Sequence, residues 1–148
     1  MKYFTPEWWS SGCEGADAVF DKYQHYIESI RDRLPEAALA FDASYTLHDS
    51  EVKLIISDFE RRTLRLTFLG WDTAFETKTR YRLAFDEVAL FEQQFPQQEY
   101  VESELGDVGY WEWEAVAAGT ELRLLFASSA MFRLRFKEFS FEHEAVQA

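Results

Sequence analysis

A pattern of alternating apolar residues occurs twice in this chain, once in residues 81–90 and again in residues 132–141. An apolar residue at every second position is the spacing of a β-strand with one buried face. In both copies the alternation slips by one position at a charged pair, Asp86-Glu87 in the first and Lys137-Glu138 in the second. Such a slip is typical of a β-bulge, which inserts one extra residue into a strand. We therefore predict a duplicated β-unit with a bulge in its last strand.

The first third of the chain has the periodicity of helices. Ser11 and Glu14 have the spacing of a capping box, so a helix should begin there. Pro35 would end this helix and begin a second, shorter one. The apolar stripe of the first helix comprises Val19, Phe20, Tyr23, Ile27, Ile30 and Leu34.

These patterns together predict an α+β fold in a single domain, with N-terminal helices packed on a mainly antiparallel sheet of about six strands. Residues 1–46 would form a helical lid, residues 47–91 a first three-strand meander and residues 109–148 a second. Residues 92–108 would form an acidic connection between them. The patterns do not decide between one continuous sheet and two facing sheets.

Loop lengths give a register for the second meander. A two-residue turn at Ala118-Gly119 would place Glu114 opposite Arg123, with apolar and charged faces kept apart. A three-residue loop at 128–130 would place Arg135 on the other side of Arg123. Two like charges in neighbouring strands are unfavourable, and Glu114 would offset them.

The composition excludes several classes of protein. The 148-residue chain carries a formal net charge of −12, which argues against nucleic-acid binding, because phosphate contacts require clustered Lys and Arg. No apolar run is long enough to span a membrane, and no apolar segment typical of a secretory signal follows Lys2. Cys13 is the single cysteine, which excludes an internal disulfide and a cysteine-based zinc site. We therefore expect a cytoplasmic protein without membrane contact.

The negative charge is concentrated in one segment. No basic residue occurs between Arg82 and Arg123, whereas ten carboxylates do. This segment is either a solvated acidic loop that aids solubility or a surface matched to a basic partner. The candidate partner-binding residues are Glu99, Glu102, Glu104, Asp107, Glu112 and Glu114.

Common catalytic and cofactor motifs do not occur in this sequence. It contains no glycine-rich phosphate loop, no His-Glu-x-x-His, no Cys-x-x-Cys and no Gly-x-Ser-x-Gly. We therefore assign no catalytic residue, no metal ligand and no cofactor. Because catalytic groups converge in space rather than in sequence, missing motifs do not exclude an enzyme.

The segment most similar to a reactive cluster is residues 47–51. One interpretation is a turn in which Asp49 or Ser50 binds local backbone N–H groups while His48 packs at a strand edge. The alternative is a ligand or metal site near His48 and Asp49, formed if the first and last strands are neighbours. The residues that would complete it are Glu142, His143 and Glu144.

Four tryptophans have two interpretations. They could line a ligand pocket, because aromatic rings stack on flat ligands, or they could fill the space between helix and sheet. Alternation with glutamates favours the second interpretation for the later pair. The four are Trp8, Trp9, Trp111 and Trp113.

Two segments resemble a family of uncharacterised bacterial proteins, a domain of unknown function. The first eight residues, Met-Lys-Tyr-Phe-Thr-Pro-Glu-Trp, are similar to the Met-Lys-Tyr-Phe-Thr-x-Glu-Trp opening of that family. The Leu-His-Asp-Ser run at residues 47–50 resembles the segment before its β-region. The resemblance implies a bacterial, cytosolic protein and supplies no activity.

The function predicted from the sequence is that of a non-enzymatic protein-binding module whose acidic surface meets a basic partner. One version is an immunity-type protein that blocks a basic toxin such as a nuclease. The alternative is a small-ligand or metal-binding protein, which could also be an enzyme, with its site near His48 and Asp49. A homodimer formed through an open sheet edge is a third prediction.

Overall fold

The computed structural model describes residues 1–95 and 105–147. Within these residues the chain has an α+β fold, in which helices precede a set of antiparallel strands. The helical segments are α1 Pro6–Ser10, α2 Ala16–Ser29, a 3₁₀ turn Arg31–Arg33 and α3 Glu36–Ser44. The strands are β1 Glu51–Asp58, β2 Thr63–Trp71, β3 Lys78–Asp86, β4 Leu90–Gln94, β5 Val108–Val116, β6 Gly119–Phe126, β7 Met131–Phe136 and β8 Glu138–Ala145.

The start of the helical region differs from the predicted capping box. Thr5 caps the short helix α1 by accepting a hydrogen bond from the Trp8 backbone N–H, 3.1 Å away. Ser11 is therefore the C-cap of α1, and Gly15, with a φ of 65°, precedes α2. The capping-box prediction is wrong, because an unpredicted helical turn ends where the box would begin. The second helix does begin directly after Pro35, as predicted.

The strands form two four-stranded sheets in the described part of the chain, in the orders β1-β2-β3-β8 and β4-β7-β6-β5. The expectation of about six strands is therefore wrong. Of the two arrangements left open by the sequence, the structure has two separate sheets. The first sheet contains β1, β2, β3 and the distant β8, whereas the second contains the four consecutive strands β4 to β7. The duplication itself stays a prediction.

The two predicted bulges are the places where the chain changes sheet. Strand β3 ends at Asp86 and β7 ends at Phe136, and each is followed by a strand of the other sheet. The two crossings lie side by side, because the Lys137 N–H donates to the Asp86 carbonyl at 3.2 Å. The Ala89 N–H likewise donates to the Arg135 carbonyl at 2.8 Å. A slip in alternation signals either a bulge or a bend, and here it marks a bend.

The register of the second sheet is shifted by two residues from the prediction. Glu112, not Glu114, is opposite Arg123, and the residue on the other side is Arg133 rather than Arg135. A shift of two keeps every side chain on its predicted face. The turn lies one position earlier than expected, because Gly119 already belongs to β6. A Cβ at Gly119 would lie 2.2 Å from the Phe136 carbonyl oxygen, so this close approach requires glycine.

Residues from both sheets and from the helices meet in one apolar core. Phe85 of β3 and Phe136 of β7 contact each other edge to face, with ring centroids 4.8 Å apart. Phe41 of α3 contacts Tyr81 and Phe141 in the same way, at 5.5 and 5.2 Å. The helices therefore complete the core rather than lie on its surface. None of the helices in the described residues is long and apolar enough to cross a membrane.

The edge strands β5 and β1 differ in how far other parts of the protein cover them. Helix α2 covers the edge of β5, where the Tyr23 hydroxyl accepts a hydrogen bond from the Trp113 N–H at 2.8 Å. The Tyr26 hydroxyl accepts one from the Ala115 N–H at 3.1 Å. Strand β1, at the edge of the other sheet, instead carries Leu54, which is half exposed.

We expect Tyr23→Phe to destabilise the fold by about 1–3 kcal/mol, because the buried Trp113 N–H would lose its acceptor. Tyr26→Phe is the matched control. It should have a smaller effect, because Ala115 is only half buried and water can replace the hydroxyl. Urea denaturation followed by tryptophan fluorescence measures both. Equal midpoints for the two variants would contradict the assigned role of Tyr23.

Candidate functional site

A network of buried charges lies on the face of the second sheet that points away from the core. Arg123 at its centre has a side chain that is 7% exposed. Its Nη2 lies 3.1 Å from Oε1 of Glu112, which is completely buried, and its Nη1 lies 2.5 Å from Oε2 of Glu114. The same Nη1 also contacts Glu121 on its own strand. Three carboxylates therefore surround one guanidinium, and all of its nitrogens are hydrogen-bonded.

Glu112 also holds the N-terminal arm. Its two carboxylate oxygens accept hydrogen bonds from the backbone N–H groups of Lys2, Tyr3 and Phe4, at 2.8, 2.8 and 2.7 Å. The Lys2 side chain adds an ion pair to Glu114 at 2.5 Å. Glu112 therefore joins the arm to the sheet, and it belongs to the protein interior rather than to an exposed acidic surface.

The network continues across β7 to β4. Arg135 donates to Glu121 at 2.7 Å, and Arg133 donates to Glu92 at 2.8 Å. Residues 83–122 contain no basic side chain, and arginines that follow them in the sequence partly neutralise their carboxylates. These residues line an open cavity of about 390 Å³.

The network keeps Glu114 ionised. Burial by itself would raise the pKa of Glu114, but hydrogen bonds from Lys2 and Arg123 lower it below its ordinary value. A lowered pKa in the folded state stabilises the fold above the pKa of the unfolded chain. This contribution is lost as the pH falls through the pKa of the folded state.

A second cluster lies where the chain enters β1 and β5. The Asp49 N–H donates to the Val108 carbonyl at 2.9 Å, and the Val108 N–H donates to the Ser50 carbonyl at 2.8 Å. This backbone pairing brings Asp49 and Glu51 near Asp107. We call these three carboxylates, Asp49, Glu51 and Asp107, the acidic rim; all three are exposed.

The acidic rim contains mutually repelling charges. Burial raises the pKa of Asp107, and the charges of Glu51 and Asp49 raise it further, whereas Lys78 and His48 act in the opposite direction. Within the described residues Asp107 has no ion-pair partner. The rim therefore differs from the network around Arg123 at Asp107. The other two rim carboxylates have basic neighbours, because Glu51 forms an ion pair with Lys53 and Asp49 contacts His48.

His48 stands beside the rim in a defined orientation. Its Nδ1 lies 2.9 Å from the Gly109 carbonyl, which only accepts, so Nδ1 carries a hydrogen and donates. Its Nε2 lies 3.5 Å from Oδ1 of Asp49. The His48 ring contacts Phe75 edge-on at a centroid distance of 6.1 Å, and Phe75 is 46% exposed.

The turn at residues 47–50 differs from the prediction. The Ser50 N–H donates to the Leu47 carbonyl at 3.0 Å, and the His48 N–H donates to Oγ1 of Thr46 at 3.0 Å. The buried Ser50 hydroxyl has no hydrogen-bond partner among residues 1–95 and 105–147, and Asp49 has a φ of 61°. Thr46, rather than Asp49 or Ser50, therefore supplies the side-chain bond to the local backbone.

The predicted site residues fall into separate places. His143 lies on β8, where its Nε2 is 2.7 Å from the Tyr45 hydroxyl. His48 instead contacts Gly109 and Phe75, and the Asp49 backbone pairs with Val108. No group of three or more His, Cys, Asp or Glu side chains in residues 1–95 and 105–147 could hold a metal ion. The predicted partner-binding residues outside the described residues are Glu99, Glu102 and Glu104.

The proximity of Asp107 to Asp49 and Glu51 was not predicted. These residues are far apart in the sequence and come together only because Val108 pairs with the segment before β1. Asp107 and Asp49 had appeared in two competing hypotheses, one for a protein partner and one for a ligand. The fold unites them in one cluster.

Comparison with known proteins gives a family. The sequence model of a family described as "Protein of unknown function (DUF4085)" matches residues 2–133. The chain belongs to this family. The match confirms the prediction of an uncharacterised family, whose description names no activity. No curated protein and no solved structure matches the chain.

We expect Glu112→Gln to reduce the free energy of unfolding by about 3 kcal/mol or more, because Arg123 would be left buried with less compensating charge. Urea denaturation at neutral pH measures this loss. Glu138→Gln, which removes an exposed carboxylate at the start of β8, is the control and should change the midpoint little. Equal stability of the two variants would show that the network contributes nothing to folding.

Proposed function

We propose that this chain is a non-enzymatic binding module whose acidic rim receives a basic segment of another protein. The observation that carries the proposal is the convergence of Asp49, Glu51 and Asp107 at one exposed edge. Crowded carboxylates disfavour one another's charge, and a cationic partner relieves this repulsion.

The contrast with the network around Arg123 supports this location. There the carboxylates are already satisfied by arginines, so they attract a second cation weakly. At the rim the negative potential extends into solvent, where it accelerates encounters with a positively charged surface. The exposed ring of Phe75 beside His48 adds an apolar contact, and aromatic side chains often anchor protein interfaces.

The proposed contact includes the acidic residues that precede Asp107 in the sequence, Glu99, Glu102 and Glu104. We do not include Glu112, which has no exposed surface. A basic toxin such as a nuclease is one partner with the required charge, because carboxylates would then occupy the place of the nucleic-acid phosphates.

We expect the double variant Asp49→Asn/Asp107→Asn to lose a salt-sensitive partner that the unaltered protein retains. The immobilised protein would be exposed at low salt to a lysate of the producing cells, and candidate partners would be purified and titrated individually. The charge-matched control is Asp17→Asn/Asp32→Asn, which changes exposed residues of the helical region. Equal affinity of a purified partner for both variants would overturn the proposed surface.

The rim variant should remain folded. Because the pKa of Asp107 is raised in the folded state, ionisation of this group opposes folding above its ordinary pKa of 3.8. Asp107→Asn removes that charge, so its melting temperature at neutral pH should not fall. A lower melting temperature would indicate that the carboxylate is required for the fold.

The second candidate function is binding of a metal ion or small ligand at the same place. It is favoured by the 3.5 Å contact between His48 and Asp49, which would supply two ligands, so a bound ion would take its other ligands from water or from a small molecule. If it is correct, Zn²⁺, Mn²⁺ or Fe²⁺ should raise the melting temperature of the protein, and His48→Ala should abolish the increase. An unchanged melting temperature with all three ions would favour the protein-binding proposal.

A further inference from the structure

A small cavity with aromatic walls lies between α2, α3, the N-terminal arm and β5. Its volume is about 170 Å³. Five rings line it, together with the polar side chains of Gln24 and Asp42. The rings are those of Phe4, Phe20, Tyr23, Tyr110 and Trp111.

Phe4 is the centre of the ring cluster. Its centroid lies 5.0 Å from that of Phe20 and 5.3 Å from those of Tyr23 and Tyr110. The two tyrosine hydroxyls already have partners, because Tyr23 accepts from the Trp113 N–H and Tyr110 lies 3.5 Å from Sγ of Cys13. Phe20 is 43% exposed and forms the side of the cavity that is open to solvent. The walls therefore offer mainly π surface.

One carboxylate faces this aromatic surface. Oδ1 of Asp42 accepts a hydrogen bond from the Trp111 indole N–H at 3.0 Å. The buried indole N–H of Trp113 forms no hydrogen bond of normal geometry within the described residues, but it lies close enough to this carboxylate to favour its charged form. The surrounding protein desolvates Asp42 and raises its pKa, against the effect of the two indoles.

Asp42 lacks a counter-ion. No ion pair involves it in residues 1–95 or 105–147, whereas the carboxylates around Arg123 are all paired. The Asp42 side chain is exposed at the mouth of the cavity, where its charge stays partly hydrated and attracts a cation that approaches from solvent. The cavity therefore offers aromatic walls with one negative charge at the opening.

We infer that this cavity binds a methylated ammonium group, held by cation–π contacts with the rings and by the charge of Asp42. Aromatic walls with a single carboxylate suit this chemistry, because a quaternary ammonium attracts π faces and needs no hydrogen-bond acceptor. A guanidinium carries five N–H donors, and the cavity offers only the Asp42 carboxylate and the Gln24 amide as side-chain acceptors. A metal ion would need more oxygen or nitrogen ligands than these two side chains supply.

The volume limits the size of the occupant. Pockets for drug-sized ligands measure roughly 300–1,000 Å³, so a cavity of about 170 Å³ accepts a single head group or the end of one side chain. The trimethylammonium group occurs both in free choline-like molecules and at the end of a methylated lysine. Both sources share the recognised chemistry, and the experiment below separates them.

The test measures binding to the full chain by isothermal titration calorimetry and by the fluorescence of Trp111 and its neighbours. The probes are choline and a short peptide containing trimethyllysine, with methylguanidinium and an unmethylated lysine peptide as comparators. We expect saturable binding of at least one trimethylammonium probe. Tighter binding of choline would indicate a free small molecule as the ligand, and tighter binding of the peptide would indicate a methylated lysine. No saturable binding of either probe, or binding of methylguanidinium that is equally tight, would overturn the inference.

Variants separate a binding role of Asp42 from a structural one. Asp42→Asn keeps an oxygen for the Trp111 N–H but removes the charge, so affinity should fall about tenfold while the melting temperature does not decrease. Phe20→Leu keeps an apolar side chain but removes a ring, and it should also weaken binding. The control Asp32→Asn, an exposed residue of the 3₁₀ turn, should bind normally. Equal affinity of Phe20→Leu and the control would contradict the cavity assignment even if Asp42→Asn failed to fold.

This inference does not depend on the acidic rim. A chain that binds choline but no basic protein would retain it and refute the proposed function. A chain with the opposite behaviour would retain the proposed function and refute the inference.

Discussion

The contact between Arg123 and Glu112 is the interaction on which the rest of this structure depends. Glu112 is completely buried, and its second task is to accept three backbone N–H groups of the N-terminal arm. The last of these groups belongs to Phe4, whose ring is the centre of the aromatic cluster beneath α2. A charge pair on the outer face of a sheet thus positions one wall of the cavity beside β5. A buried ion pair contributes little net stability compared with apolar side chains, so its retention here is best explained by the position that it imposes on the arm.

A second constraint comes from the two crossings between the sheets. The chain leaves the first sheet after β3, forms all four strands of the second sheet and returns as β8, which pairs with β3. The first sheet is therefore complete only when segments about fifty residues apart have met. Long-range strand pairing of this kind folds slowly, since distant segments must meet before any contact stabilises them. The apolar core formed by both sheets and the helices is the gain that offsets this entropy.

Local periodicity predicted what depends on neighbouring residues. The α+β class, the helix after Pro35 and the apolar and charged faces of β5, β6 and β7 followed from spacing, because side chains alternate with a period of two. The number of strands did not follow from spacing. A slip in the apolar alternation at Lys137 looks the same whether one strand contains a bulge or the chain bends into a second strand. The site was harder to predict. The gap in basic residues suggested one acidic surface, yet Glu112 faces Arg123 across a strand pair, and Asp107 meets Asp49 through backbone bonds between distant segments. Charge along a sequence does not reveal charge compensation in space.

The 27 Asp and Glu side chains behind the net charge of −12 include three groups in different environments. The carboxylates around Arg123 form ion pairs and hold the N-terminal arm. Those of the acidic rim are exposed, and partial burial together with mutual repulsion raises the pKa of Asp107. Asp42 lies at the mouth of the aromatic cavity, where it accepts a hydrogen bond from Trp111. Among the described residues, Asp107 of the rim and Asp42 form no ion pair, and both lie beside the first residues of β5. Strand β5 is the edge of its sheet. The segment before β1 pairs with its first residue, and α2 and α3 cover the residues that follow. Such a junction leaves gaps that a continuous sheet face does not have. Both proposed binding surfaces therefore follow from the same structural cause, the incomplete cover of one edge strand.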